Sequence, residues 1–407
     1  MDTTTISSAS HAATPAAELP AGLKGVTVGR TTVGDVQGAR GFYHYRQHDA
    51  TELARDRSFE DVVALVLDGS LPREVETSVA HRERLGRSRV VPQAVLDALP
   101  ALVAVAGEAA PAVPLAGLRS AVSLLAAAWD LAPLMDLDVE HRREDVLRLC
   151  AATPTLVAAL HRVRGGREPI APDPRAGVAQ DYLRMLHGEV PDERSARALE
   201  IYLSSTIDHG FNASTFTGRV VASTGADAGS CMVAALGALS GPLHGGAPSR
   251  ALEMLDRIEG SEVEEIDAVV VPMIERGERI MGFGHAVYRT EDPRSVLLRE
   301  AADELGRRSP AAAARVRTAR AVEARVVELL ARHKPDRVLR TNVEYYASVV
   351  MELCGVPPEL FSSTFACSRV VGWGAHVLEQ ADLRTIIRPG SAYAGPEAPQ
   401  PVPPLVA

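Results

Sequence analysis

A mainly α-helical fold of many packed helices is predicted by three features of the sequence. Apolar residues recur at three- and four-residue spacing along much of the chain, while strand-like alternation is scarce and no internal repeat is found. Aromatic residues make up only 4% and alanine is frequent, a composition suited to close helix packing. Hydrophobic residues reach 46% of 407, enough to bury a large core in one big domain or a large domain with a smaller companion.

Taken in order, the first 20 residues are rich in Ser, Thr and Ala, carry Asp2 and Glu18, and lack Lys and Arg. They read as a frayed tail rather than a signal or transit peptide. Ser58 is placed as an N-cap, followed by the helical stripe Phe59, Val62, Val63 and Val66, which Gly69 closes. Helices are further expected over 146–163, around Leu199, Tyr202, Leu203 and Thr206, and over 215–224, 228–239, 295–305, 343–353 and 362–379. The Gly/Pro-rich turn at 241–246 separates two of them and is expected to act as a domain boundary and hinge. Residues 396–407 hold five prolines and are expected to trail off.

Lys and Arg number 43 against 52 Asp and Glu, a net charge of −9. Nucleic acid is therefore not expected as a partner, since phosphate binding needs a basic face. Cys150, Cys231, Cys354 and Cys367 form no CxxC pair, so neither a zinc site nor a disulfide framework is indicated, and a reducing cytoplasm fits. The most hydrophobic stretch is interrupted by Pro100, Glu108, Pro111 and Pro114. No apolar run nears the roughly 18 residues that a membrane span requires, and no membrane partner is expected.

Several residues pose chemical questions. His244 sits in Gly241-Pro242-Leu243-His244-Gly245-Gly246, where it either caps a helix or, kept neutral by the helix that follows, donates a hydrogen bond to a developing enolate oxygen. His285, in Met281-Gly282-Phe283-Gly284-His285, follows a glycine pair that lacks the third glycine of a dinucleotide loop. Asp292-Pro293-Arg294 reads as N-cap, N1 and N2 of a helix, which sets a cation against the helix dipole unless an anion joins it. Arg369 lies among Phe365, Ala366, Val370, Val371 and Trp373 on an apolar helix, so its guanidinium must meet a carboxylate from the protein or from a ligand. Arg388 raises the same question less sharply. Glu344, one turn into a helix capped by Asn342, either complements the dipole or serves as a general base. His209 either caps a helix end or binds a ligand.

Together and in this order, these segments resemble the citrate synthase family. The likeness runs from Gly22-Leu23-Lys24-Gly25-Val26 and Phe42-Tyr43-His44-Tyr45-Arg46 through Asp208-His209-Gly210-Phe211-Asn212-Ala213-Ser214-Thr215, the 241–246 turn, 281–289, Asp292-Pro293-Arg294 and 365–373. It continues to Ile387-Arg388-Pro389 and Tyr393-Ala394-Gly395-Pro396. The resemblance implies an all-α homodimer with a shared active site. Its large domain would be built from 21–245 and 356–395, with an inserted small domain over 246–355 that closes on substrate and tails over 1–20 and 396–407.

It also implies roles. His244 would hold the acyl-CoA carbonyl and stabilise the enol, Glu344 would remove the α-proton, and His285 would polarise the oxo group under attack. His209, Arg294 and Arg369 would bind oxaloacetate, with Arg388 lent to the neighbouring subunit. The Met281, Gly282, Phe283 and Gly284 backbone and Arg289 would bind the CoA thioester, which enters as co-substrate. No metal or redox cofactor is implied. Most members carry Asp where this chain has Glu344, one methylene shorter. The same residue set serves 2-methylcitrate synthases, which take propionyl-CoA, and a catalytically silent binder of CoA or a tricarboxylate is the contrasting reading.

Overall fold

A computed structural model describes residues 20–106, 113–242, 244, 247–258, 260–285 and 287–405. Near its start lies a small sheet that sequence periodicity does not predict. Strands β1 (Gly34–Gln37), β2 (Phe42–Tyr45) and β3 (His48–Asp49) pair antiparallel in that order. They are too short to stand out as alternation, yet β2 obeys it: Tyr43 and Tyr45 are buried while Phe42 and His44 are half-buried. In the β1–β2 turn a close approach demands glycine, because a Cβ on Gly38 would lie 2.3 Å from the Val287 carbonyl oxygen. The Gly38 carbonyl in turn accepts the Arg289 N–H at 3.1 Å, so the hairpin braces the loop after His285.

The first half of the helical body comprises α1 (Ala50–Asp56), α2 (Phe59–Asp68), α3 (Val75–Arg87), α4 (Gln93–Ala106), α5 (Val113–Ala128), α6 (Val139–Arg164), α7 (Val178–His187) and α8 (Glu193–Ser205). Their starts are chemically marked. Asp49, Ser58, Asp138 and Asp192 each accept a first-turn N–H, of α1, α2, α6 and α8 respectively. The predicted α2 stands as read, with Gly69 as its left-handed cap. Helix α6 begins seven residues before the expected 146, since its first two turns are charged and show no apolar stripe. One expectation needs correction here. By length and composition α6 passes the test for a membrane span, although 78% of its most apolar window is buried, as befits a core helix.

The second half comprises α9 (Ala213–Ala222), α10 (Ala228–Leu239), α11 (Ala247–Asp256), α12 (Val263–Glu275), α13 (Pro293–Gly306), α14 (Pro310–His333), α15 (Val343–Leu353) and α16 (Phe361–Leu383). Asn212 caps α9 two residues ahead of its expected start, Asp292 caps α13 with Pro293 in its first turn, and Asn342 caps α15. Helix α16 is buried over most of its length, with α2, α6, α9 and α10 packed around it. Polar residues on α16, including Ser368, Arg369 and His376, are thereby sealed from bulk water.

All these elements belong to one compact unit, residues 31–385. The other unit comprises 1–30 and 386–407. Its described residues hold a 3-10 turn at Ala21–Leu23 and no buried side chain. The tail expected over 1–20 lies, apart from Pro20, outside the described residues, as do positions 243, 245 and 246 of the expected hinge.

Candidate active site

A cavity of about 300 Å³ opens where the starts of α13 and α15, the loop after α8, the turn after α10 and the middle of α16 converge. His209, His244, His285, Arg294, Glu344 and Arg369 all line it, joined by Arg279, Asn342 and Phe365. Six residues singled out from distant parts of the sequence are thus brought to one small volume.

The Glu344 position is set by its helix start. The Asn342 side-chain oxygen accepts the Glu344 N–H at 3.0 Å, and the Asn342 amide donates to the Gly284 carbonyl at 2.9 Å. Thr341 forms an antiparallel bridge with Phe283, so the carboxylate and the loop carrying His285 are held together. Oε2 of Glu344 is buried without a hydrogen-bond partner. Burial raises the Glu344 pKa above the ordinary carboxylate value, an effect that Arg279 and Arg294 partly oppose. A buried carboxylate oxygen with a raised proton affinity and no donor is suited to taking a proton.

His285 has its tautomer fixed by backbone. Its Nδ1 accepts the N–H groups of Val287 at 3.0 Å and Tyr288 at 3.1 Å, which places the proton of the neutral ring on Nε2. Burial and then Arg294 lower its pKa to about 4, so the ring is neutral at pH 7. Nε2 lies 3.3 Å from Arg294 Nη2. Two donors side by side cannot satisfy each other, and the pair therefore offers a double donor to an oxygen in the cavity. Arg294 itself is buried and clasped by Asp292, Nε to Oδ1 at 3.0 Å and Nη2 to Oδ2 at 2.8 Å. Burial works against the Arg294 charge, yet Asp292 holds its pKa above the ordinary value. The anionic partner that the sequence calls for is thus its own N-cap. Asp292 Oδ2 also accepts the Val343 N–H at 3.1 Å, which joins the starts of α13 and α15.

His209 lies in the loop after α8 rather than capping a helix end. Its Nε2 is 3.1 Å from the Tyr288 hydroxyl and its ring meets that of His285 edge-on at 5.4 Å. Burial, then Arg294 and Arg369, push its pKa well down. His244 is likewise neutral, its pKa lowered to about 4 by burial and by Arg369. Its Nε2 is 2.8 Å from Ser214 Oγ. That hydroxyl receives the Trp373 indole N–H at 3.2 Å and donates its own proton to Asn212 Oδ1 at 2.8 Å. With Nε2 held by Ser214, Nδ1 is the His244 nitrogen left for a ligand.

Arg369 is 5% exposed, and neither its Nε nor its Nη1 has a hydrogen-bond partner. Burial lowers its pKa to about 10, with Asp208 pulling the other way. Asp208 is itself engaged by His376 Nε2 at 3.1 Å and by the Gly210 N–H at 3.1 Å. Of the two outcomes the sequence allows for this guanidinium, a full internal ion pair is not the one realised among the described residues.

A second cavity, of about 710 Å³, shares Arg279, Gly284 and His285 with the first. Arg279, Arg289, Lys334 and Arg337 outnumber Glu278 and Asp336 on its wall, so it favours an anion. Phe283, Gly284 and Arg289 line it. Met281 and Gly282 are not among its lining residues, and Gly282 (φ 82°) instead packs on Tyr345. Arg388 is exposed and belongs to the unit of 1–30 and 386–407. Asp292 as a clasp, Ser214, Tyr288 and Arg279 were not singled out from the sequence. Asn212 offers the one usable signal, because as cap of α9 it places Ser214 in the first turn. Among the described residues no group of three or more His, Cys, Asp or Glu is arranged to hold a metal ion, and the four cysteines are buried and free.

Fold and cavity together define a mainly helical protein that gathers a buried carboxylate, neutral imidazoles and an unpaired guanidinium in one cavity. Residues 22–390 match the family model described as citrate synthase, C-terminal domain. A protein named putative citrate synthase 2 from Mycobacterium tuberculosis is 38% identical over 385 residues, 92% of each chain. A 2-methylcitrate synthase from Shewanella oneidensis is 34% identical, covering 92% of this chain and 94% of its own. The structure of a ternary complex of carboxymethyl coenzyme A and oxaloacetate with citrate synthase from Thermoplasma acidophilum superposes with a TM-score of 0.83 at 26% identity, covering 94% of this chain and 98% of that one. The chain belongs to the citrate synthase family and is an acyltransferase with the family's all-α fold.

Proposed function

We propose that the chain condenses acetyl-CoA with oxaloacetate to give citrate and free CoA, with Glu344 as base and His244 and His285 as the paired donors. One observation carries the reading: the unpartnered Glu344 oxygen shares a cavity of about 300 Å³ with two neutral imidazoles and the unpartnered Arg369 guanidinium. A thioester α-proton is too weakly acidic for an unaided carboxylate. Removal becomes feasible when the enol oxygen forming at the same moment meets a preorganised donor in a water-poor site, worth roughly 3 kcal/mol per donor. His244 Nδ1–H supplies that donor when the Ser214 hydroxyl turns its proton from Asn212 Oδ1 to His244 Nε2. Nε2–H of His285 and Arg294 together polarise the oxo group, His209 lines the same wall, and Arg369 grips a carboxylate bidentately. The oxo carbon is thus presented to the enol in a near-attack geometry. Hydrolysis of the resulting thioester frees CoA.

The larger, cationic cavity suits the phosphates of CoA, with Phe283, Gly284 and Arg289 beside them and the Met281–Gly282 backbone just behind. Because it opens onto His285 through Gly284 and Arg279, a thioester can reach Glu344 from it. On this reading 246–355 close over the substrates as a small domain, and the enzyme is a cytoplasmic homodimer in which Arg388 completes the neighbour's site. No metal or organic cofactor takes part. The deciding experiment is thiol release from acetyl-CoA and from propionyl-CoA, with and without oxaloacetate. Release from acetyl-CoA that depends on oxaloacetate supports the reading. A higher kcat/KM for propionyl-CoA would reassign the chain as a 2-methylcitrate synthase, and no release from either would leave it a binder.

A further inference from the structure

We infer that Glu323, on α14 and remote from the substrate cavity, is a positioning residue that sets the height and roll of the catalytic base. The inference rests on the proposed role of Glu344. The start of α15 is held on its substrate side by Asn342, Gly284 and Asp292. On the opposite side α14 holds it, through the Ala319 carbonyl, which accepts the Tyr345 hydroxyl at 2.7 Å, and through the Glu323 carboxylate, which grips two residues at once. Glu323 Oε1 accepts the Thr341 hydroxyl at 2.8 Å, and Oε2 accepts the Tyr346 hydroxyl at 2.5 Å. Those two residues stand three before and two after Glu344, so one rigid group grips the chain on both sides of the base.

The grip is reinforced rather than isolated. Arg299 of α13 donates to Glu323 Oε1 at 3.1 Å and balances its charge, and Ser295 of the same helix donates to the Thr341 hydroxyl at 2.9 Å. Helix α13 also carries Arg294, so Glu323 locks the helix that holds the oxo-acid arginine to the helix that holds the base. Its side chain is only 13% exposed. Loss of the grip frees the first turn of α15 to rotate, and a displacement near 1 Å at a reacting group costs on the order of 100-fold in rate.

The test compares Glu323→Ala, Glu323→Gln and Tyr346→Phe with Glu344→Gln, reading thiol release and oxaloacetate binding by calorimetry. Glu323→Ala is expected to lower kcat about 100-fold while oxaloacetate affinity stays within about twofold, because the arginines keep their own partners. Glu323→Gln, which still spans Thr341 and Tyr346, should recover most of the loss, and Tyr346→Phe should lower kcat in the same direction by less. A merely structural role would lower the melting temperature and leave kcat of the folded enzyme untouched. Wild-type kcat in Tyr346→Phe and in whichever Glu323 variants fold would overturn the inference. An active Glu344→Gln would overturn instead the assignment of the base on which it stands.

Discussion

Arg369 sets function against stability in a way that a single substitution can expose. Burial lowers its pKa from the ordinary guanidinium value to about 10, so the folded state holds this proton less tightly than the unfolded chain. At pH 7, below both values, the whole difference counts against folding, about 3 kcal/mol at 1.36 kcal/mol per unit. Arg369→Met keeps an apolar stem of similar length and removes the charge. Against the gain stands the lost contact with the Phe365 ring, 4.7 Å from the guanidinium carbon. That contact is worth about 1 to 2 kcal/mol, the attraction to Asp208 being already contained in the net shift, and the ligand-free variant should be more stable by about 1 to 2 kcal/mol. For a unit of 31–385 that is about 2 °C in melting temperature. Oxaloacetate binding should weaken more than 100-fold through the loss of about 3 kcal/mol of charge-assisted hydrogen bonding. Thermal melts with and without oxaloacetate measure both effects. Wild type should melt higher with ligand, by roughly 2.7 kcal/mol of added stability at 100 times Kd, and the variant should not respond. A ligand-free variant that melts several degrees below wild type, or one that oxaloacetate still stabilises, would show that Arg369 is a structural ion.

Three further outcomes follow from the same geometry. His244→Ala should lose about 100- to 1,000-fold in kcat and keep oxaloacetate affinity, and calorimetry showing affinity lost in step with rate would place His244 on the wrong substrate. Glu344→Asp withdraws the carboxylate by about 1 Å and should cost on the order of 100-fold in kcat; unchanged turnover would mean that the surroundings do not fix the base. The acid limb of the kcat profile should lie above the ordinary glutamate value, because Glu344 must be ionised and burial raises its pKa, whereas His244 and His285 gain protons only near pH 4. Since both imidazoles bind protons less readily when folded, stability should fall as pH drops from about 6.5 towards 4. Melts that are flat across that range would contradict their burial as neutral rings.

The parts of this molecule that sequence discloses are those whose cause is local. Ser58, Asp292 and Asn342 mark helix starts because a side-chain oxygen can reach only the next few N–H groups, and each stands where it is read. Arg369 among apolar neighbours announces a buried charge for the same reason. The small sheet escapes because strands of two to four residues carry too few alternations, and the start of α6 escapes because its first turns are charged on all sides. What no local pattern reports is partnership across the chain. That Asp292 clasps Arg294 and also receives Val343, or that Ser214 holds His244 under Trp373, depends on packing between segments that are far apart in sequence. His209 shows the converse, since its neighbours in sequence suggest a helix end while its ring is set by Tyr288 and His285.

A single cause divides the labour within the cavity. Burial penalises whichever form of a group is charged, so it raises the proton affinity of Glu344 and lowers that of His209, His244 and His285. The carboxylate becomes a better base and the imidazoles become neutral donors, which are the two opposite behaviours that enolisation of a thioester requires in one place. The arginines sharpen the division. Their charge further suppresses imidazolium, and it also opposes the rise in the Glu344 pKa that burial causes, so the same cations favour the neutral imidazole and the ionised carboxylate. Such a balance depends on guanidiniums that stay charged while buried. For Arg294 the Asp292 clasp secures this, and for Arg369, whose Nε and Nη1 have no partner, the proposed substrate carboxylate would.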